Sequence, residues 1–151
     1  MTDCPVEDRN SKEYWEWRVR AHKNDMERMI WYGNKWKWDA LDMMAKKVLG
    51  MFSECTVLDV ACGHGRYSEL FRPDRYLGFD FSEEMVRLAR DKHCKYRFFV
   101  ADANSYKPKK KFDVVFSVMG LGLGEKYKDY ATVAYIEIGP NLIKIHPKNL
   151  S

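Results

Sequence analysis

The sequence contains no apolar run long enough to span a bilayer and no secretory signal pattern at its N-terminus, so the expected compartment is the cytoplasm, with no membrane partner. Cysteine is sparse. Cys4, Cys55, Cys62 and Cys94 form no C-x-x-C pair, and no histidine stands at zinc-ligand spacing from them, so free thiols and no metal site are expected. The excess of positive charge is small, +4 over 151 residues, and does not argue for nucleic acid. Two nucleotide fingerprints are also missing. There is no G-x-x-x-x-G-K-[ST] phosphate loop, and Gly63-His64-Gly65-Arg66-Tyr67-Ser68 carries serine where a dinucleotide fold wants its third glycine.

What is present suits one globular chain with a real core: 46% of residues are hydrophobic and 32% charged. Residues 1–10 are polar and carry Pro5. Ser11 offers an N-cap to a helix expected over 12–32, with Gly33-Asn34 as its stop. A second helix is expected over 36–50. All five tryptophans precede residue 39; they fill core at one end of the sheet, or Tyr14, Trp15 or Trp17 close over a ligand. The expected boundary is a helical cap over 1–50 and a sheet domain over 51–151, the two forming one unit.

Thr56–Val60 reads as a strand feeding a glycine turn at Gly63 and Gly65 and a short helix over 66–71, stopped by Pro73. Further strands are expected at 76–79, 96–101 and 112–118, with a helix capped by Ser82 between the first two of these. Alternating strands and helices predict a three-layer αβα, mostly parallel sheet. Gly120–Gly124 reads as a flexible loop and 125–133 as helical. The period allows 134–138 to be either strand or helix, before a turn and a strand at 142–145. Asp59, Asp80 and Asp102 stand at the C-terminal ends of three successive strands, the edge where open α/β sheets bind ligands.

With these motifs in hand, the stretch 57–65, the run 76–85, and the segments Phe98–Ala103 and Phe112–Ser117 resemble, in order and spacing, the four motifs of class I S-adenosylmethionine-dependent methyltransferases, a Rossmann-like family. The resemblance covers about residues 55–120. It implies that Ala61, Gly63 and Gly65 lie against the cofactor's methionine part, with Asp59 near its amine-bearing end. Asp80 would take the ribose hydroxyls, and Asp102 with Ala103 would read adenine, with Phe81 packed on it. Ser117 and Val118 would flank the sulfonium. Arg66 and Met85 complete the expected cofactor-binding set. Two departures stand out: Ala61 replaces the usual first glycine, and only 27 residues follow Gly124, so the sheet is expected to stop after strand 4 or 5.

The implied reaction moves the sulfonium methyl to an acceptor, with a small molecule expected and nucleic acid not indicated. Placement dominates such a transfer, and a base is needed only for a protonated acceptor. His64, Tyr14 and Ser117 are the catalytic candidates, with Tyr67 a packing residue. No Pro-Pro-aromatic and no Pro-Cys follows strand 4, which excludes exocyclic-amine and cytosine-C5 nucleic-acid types. The alternative is a reduced S-adenosylmethionine-binding module without turnover. An apolar, β-branched 134–145 beside a short sheet also leads to an expected homodimer.

Overall fold

Val57–Val60 (β1) is buried along its whole length and lies in the middle of a six-stranded sheet. The computed structural model describes residues 4, 6–22, 35–120, 122–140 and 142–148. The other strands are Tyr76–Asp80 (β2), Arg97–Val100 (β3), Phe112–Val118 (β4), Ala131–Gly139 (β5) and Leu142–Pro147 (β6), in the order β3-β2-β1-β4-β5-β6. The first five are parallel where they pair, and β6 returns antiparallel to β5. The expected Rossmann-like α/β architecture is therefore present. The chain after β4 supplies two more strands.

Residues 134–138 are strand. Ala134, Ile136 and Ile138 enter one core and Tyr135 the other, an alternation that suits a strand buried on both faces. The segment expected as helix over 125–133 is instead a 3-10 run, Leu123–Tyr130, and the β-branched Thr132 and Val133 already belong to β5. Likewise 66–71 holds only a 3-10 turn, Ser68–Leu70. There the Ser68 hydroxyl donates to the Gly65 carbonyl at 2.8 Å, a local bond that competes with regular helix.

Three α-helices are described: Lys12–His22 (α1), Lys35–Gly50 (α2) and Glu83–Lys92 (α3). Ser11 caps α1 by accepting from the Tyr14 amide at 3.1 Å, and Ser82 caps α3 by accepting from the Met85 amide at 3.2 Å. The expected continuation of the first helix to residue 32 and its stop at Gly33-Asn34 lie outside the described residues.

The layers follow from strand alternation. On one face α2 and α3 pack Ala45, Leu49, Val86 and Ala89 against Val57, Val114, Phe116 and Ile136. On the other, Leu58, Val60, Phe79 and Val115 meet Tyr127 of the 3-10 run, together with Ala103 and Tyr106. Helix α1 sits on α3 through Val19 and Met85, with Lys12 3.8 Å from Glu83. Helix α2 thus shares its core with the sheet. No described helix is long and apolar enough to cross a membrane.

Leu49 is fully buried. Leu49→Ala is expected to cost about 2–5 kcal/mol in chemical denaturation, within one transition shared with the sheet. A separate early transition for α2 would show that it is an independent cap.

Candidate functional site

The strand order reverses direction between β1 and β4, and the C-terminal ends of these two neighbours open a crevice. Both exits are bent unusually. Ala61 after β1 has φ +58° and Met119 after β4 has φ +59°, left-handed backbone that costs a non-glycine residue roughly 1–2 kcal/mol. Gly120 follows, and a Cβ there would run into the Ser117 hydroxyl and come within 3.5 Å of the Ala61 Cβ. Close approach of these two loops leaves a cleft of about 390 Å³ above the strand ends.

The turn after β1 is held from the neighbouring strand. Asp80, at the end of β2, accepts from the Gly63 amide at 2.9 Å through one carboxylate oxygen and from the Ser82 amide at 3.0 Å through the other. Burial raises its pKa, while these amide bonds pull it the other way. Gly63 has φ +56°, and a Cβ on it would meet nothing within 4 Å, so the turn presents bare backbone to open space. Gly65 differs. At φ +78° its Cβ would lie 2.6 Å from the Phe98 ring, so this glycine serves packing and does not line the cleft.

Asp59 faces Gly78 across the β1–β2 register and accepts a 2.6 Å hydrogen bond from the Tyr76 hydroxyl. Gly78 makes this possible, since a Cβ there would stand 2.7 Å from that hydroxyl. Burial, and then the nearby Asp80 charge, raise Asp59 to about 8 against the pull of the Tyr76 bond. Asp59 therefore carries its proton at neutral pH. His64 is shifted the opposite way, to about 3, by burial and then by the Arg66 charge. It stays neutral, and both ring nitrogens lack a partner.

Of the residues singled out in the sequence, Asp59, Ala61, Gly63, His64, Arg66, Asp80, Phe81, Met85, Asp102, Ala103 and Val118 line the cleft. Ser117 does not. It is 1% exposed, and its hydroxyl donates to the Val60 carbonyl at 2.9 Å, which spends it on joining β4 to β1. Tyr14 is also away from the wall; it is buried, and its hydroxyl accepts from Arg18 at 3.2 Å. Tyr67 reaches the wall, yet its hydroxyl is committed to Asp42 at 2.9 Å. Among the tryptophans, Trp15 of α1 and Trp38 of α2 reach the cleft. The sequence pattern places Trp38 only as a core residue, because nothing local links it to the turn some 25 residues on. Asn10, Asn104, Met119 and Leu123 also line the wall, and the bend at Met119 has no sequence signature. The four cysteines are free, with Cys62 buried in the turn. No cluster of metal-ligating side chains occurs among the described residues.

A glycine turn after the first strand, an acid ending the second and a cleft at the reversal define a Rossmann-like nucleotide-binding fold. A family model described as methyltransferase domain matches residues 57–137, and the chain belongs to that family. Malonyl-[acyl-carrier protein] O-methyltransferase 2 of Ilyobacter polytropus is 35% identical over 86 residues, which span 49% of this chain and 33% of that protein. The chain thus spans about a third of that relative's length. Two solved structures share the fold at low identity. The DhpI–SAH complex has a TM-score of 0.61 at 16% identity, covering 85% of this chain and 67% of the other. Magnesium protoporphyrin IX methyltransferase from Synechocystis PCC 6803, with bound SAH, has a TM-score of 0.58 at 19% identity, covering 82% and 71%.

The proton on Asp59 is directly testable. The folded chain keeps this proton up to about pH 8, whereas the unfolded chain loses it near the ordinary carboxyl value of 3.8. Wild-type stability is therefore expected to fall relative to Asp59→Asn as pH rises between those values, at up to about 1.4 kcal/mol per unit. The His64 contribution, which rises with pH from about 3 to 6.5, is common to both proteins and cancels in the difference. Parallel stability curves from urea unfolding at several pH values would mean that Asp59 ionises normally.

Proposed function

We propose that the cleft binds S-adenosylmethionine and that the chain transfers its sulfonium methyl to a small-molecule acceptor. The observation that carries this reading is the Gly63–Asp80 pair at the switch point: an open backbone turn clamped by a buried, cleft-lining carboxylate that takes one amide on each oxygen. Membership of the methyltransferase-domain family supports it, as do relatives whose names describe methyl transfer.

The residues fit such a ligand in parts. On this reading Asp80 takes the ribose hydroxyls with the acceptor capacity its two amide bonds leave free. Asp102 lines the cleft and its side chain accepts from the Asn104 amide at 2.8 Å; on this reading it takes the adenine end with Ala103 and Phe81. Val118 and Met119 stand over the exit of β4, opposite Ala61, and frame the methyl end. When bound, S-adenosylmethionine supplies a methyl group already activated by the positive sulfur. The chain's task is then to orient and to exclude water. His64, held neutral to about 3, is a weak base, and Tyr67 is pushed far up by burial. An acceptor that is nucleophilic at neutral pH without losing a proton to the protein suits this wall.

We further infer that two copies of the chain pair through β6. It is the outer strand, with Leu142 and Ile145 exposed at 49% and 41%. An unpaired edge of this kind templates a second strand, and two-fold closure is the usual outcome. Light scattering at tens of micromolar is expected to give twice the chain mass, and a clean monomer would remove the pairing.

Calorimetry is expected to show binding of S-adenosylmethionine and S-adenosylhomocysteine and none of NAD. Asp80→Asn is expected to lose roughly 2–4 kcal/mol of that binding. Asp80→Ala should also destabilise the fold, since it leaves the Gly63 and Ser82 amides without their acceptor. NAD binding without a response to either sulfur nucleoside would overturn the reading. Methyl release from labelled S-adenosylmethionine across a panel of carboxylate and amine acceptors separates turnover from binding alone.

A further inference from the structure

Helix α2 presents large apolar side chains on both of its sides. Its inward stripe, Trp38, Asp42, Ala45 and Leu49, recurs at helical spacing and is buried, with Asp42 its one polar member. A water-covered outer side is normally polar. Here it carries Trp36, Ala40, Met43 and Met44. The turn that continues the helix, in which the Met51 amide donates to the Val48 carbonyl at 3.3 Å, adds Met51. Trp36, Met43, Met44 and Met51 are 75%, 55%, 49% and 70% exposed. Helix α3 shows the ordinary case, with Glu83, Arg87, Arg90 and Asp91 exposed on its outer side. A lone exposed apolar side chain needs no explanation, but several on one helix face mark a contact surface.

Charge around that face is unequal. Both acids of α2 are engaged. Asp39 takes Lys35 at 2.9 Å. Asp42 is turned inward, where it accepts from the Arg66 Nε at 2.7 Å and the Tyr67 hydroxyl at 2.9 Å and pairs with Lys46 at 3.0 Å. Glu54, beyond Met51, lies 3.9 Å from Arg72. Lys37 and Lys47 are exposed and form no ion pair with a described residue. The outer face of α2 is therefore apolar along its length and positive at its margins. Methionine is flexible and fits a soft surface, and tryptophan favours the zone where hydrocarbon meets polar groups. Lysine lays its stem along apolar surface while its ammonium stays in the polar layer. Together these are the chemistry of a helix lying in the plane of an anionic bilayer.

We infer that the outer face of α2 docks on an anionic lipid surface, with Trp36, Met43, Met44 and Met51 entering the headgroup boundary and Lys37 and Lys47 meeting its charge. Such a contact needs no spanning helix, and no described helix is of that kind. The expectation of no membrane partner rests on the missing span and does not bear on a helix that lies flat. The docking face lies across α2 from Trp38, which lines the cleft, so docking leaves the cleft wall to its ligand. Lipid binding is thus independent of the methyl-transfer reading.

The test sediments the purified chain with vesicles of phosphatidylcholine alone, and with vesicles of phosphatidylcholine and phosphatidylserine in equal parts. Binding to the mixed vesicles is expected, and added salt should weaken it by screening the lysines. Lys37→Gln with Lys47→Gln should weaken it about five-fold for each lysine and about 25-fold for the pair. Met43→Gln with Met51→Gln should weaken it by roughly ten-fold or more, because apolar burial in the boundary is lost. Thermal unfolding should not move in either variant, since none of the four side chains is buried. Should the methionine pair fail to fold, the lysine pair carries the test. No binding of the wild-type chain to the mixed vesicles, or equal binding to both vesicle types, would overturn the inference. So would a methionine pair that halves the mass in light scattering and keeps vesicle binding, which would assign the face to a second copy of the chain.

Discussion

The carboxylate of Asp80 is the interaction on which the site depends. One oxygen takes the Gly63 amide and the other the Ser82 amide, so one side chain ties the turn after β1 to the start of α3. Ser82 in turn caps α3, and α3 carries Met85 to the cleft wall and supports α1. Each link is local, and together they set the width of the crevice. Because β1 and β2 are parallel and adjacent, the end of one falls beside the exit of the other without any long-range accident.

Two buried acids side by side are costly, and the chain treats them differently. Asp80 is met by backbone amides, which favour its charge. Asp59 is met by a phenol and is kept protonated by burial. The Tyr76 hydroxyl reaches it over Gly78, one of the glycines whose missing side chain is a matter of space and not of backbone angle. A neutral Asp59 relieves repulsion beside Asp80, whose own carboxyl burial pushes up against the pull of its amide bonds.

The wall is built from two sources. The strand ends supply acids and backbone, while α1 and α2 supply aromatic surface through Trp15 and Trp38. Helix α2 has a double role, since Ala45 and Leu49 fix it in the core while Trp38 and Asp42 face the turn. The same burial that stabilises the fold thereby holds the Trp38 ring 5.2 Å from the Arg66 guanidinium carbon at the cleft wall.

By itself the sequence determined the order of the strands through β4, the acids at three strand ends, the glycine turn and the Ser11 and Ser82 caps. These are signals between residues close in the chain, where periodicity and backbone propensity suffice. Only the tertiary structure decided that 131–139 is a strand, because its pairing with β4 and burial on two faces outweigh an ambiguous local period. Only it withdrew Ser117 and Gly65 from the cleft, since alternation and the Phe98 ring, not chain position, set which way each faces. It alone joined Asp59 to Tyr76 and Arg66 to Asp42, pairs 17 and 24 residues apart. Such contacts depend on which strands lie side by side and on how helices pack over them, and no local pattern encodes that.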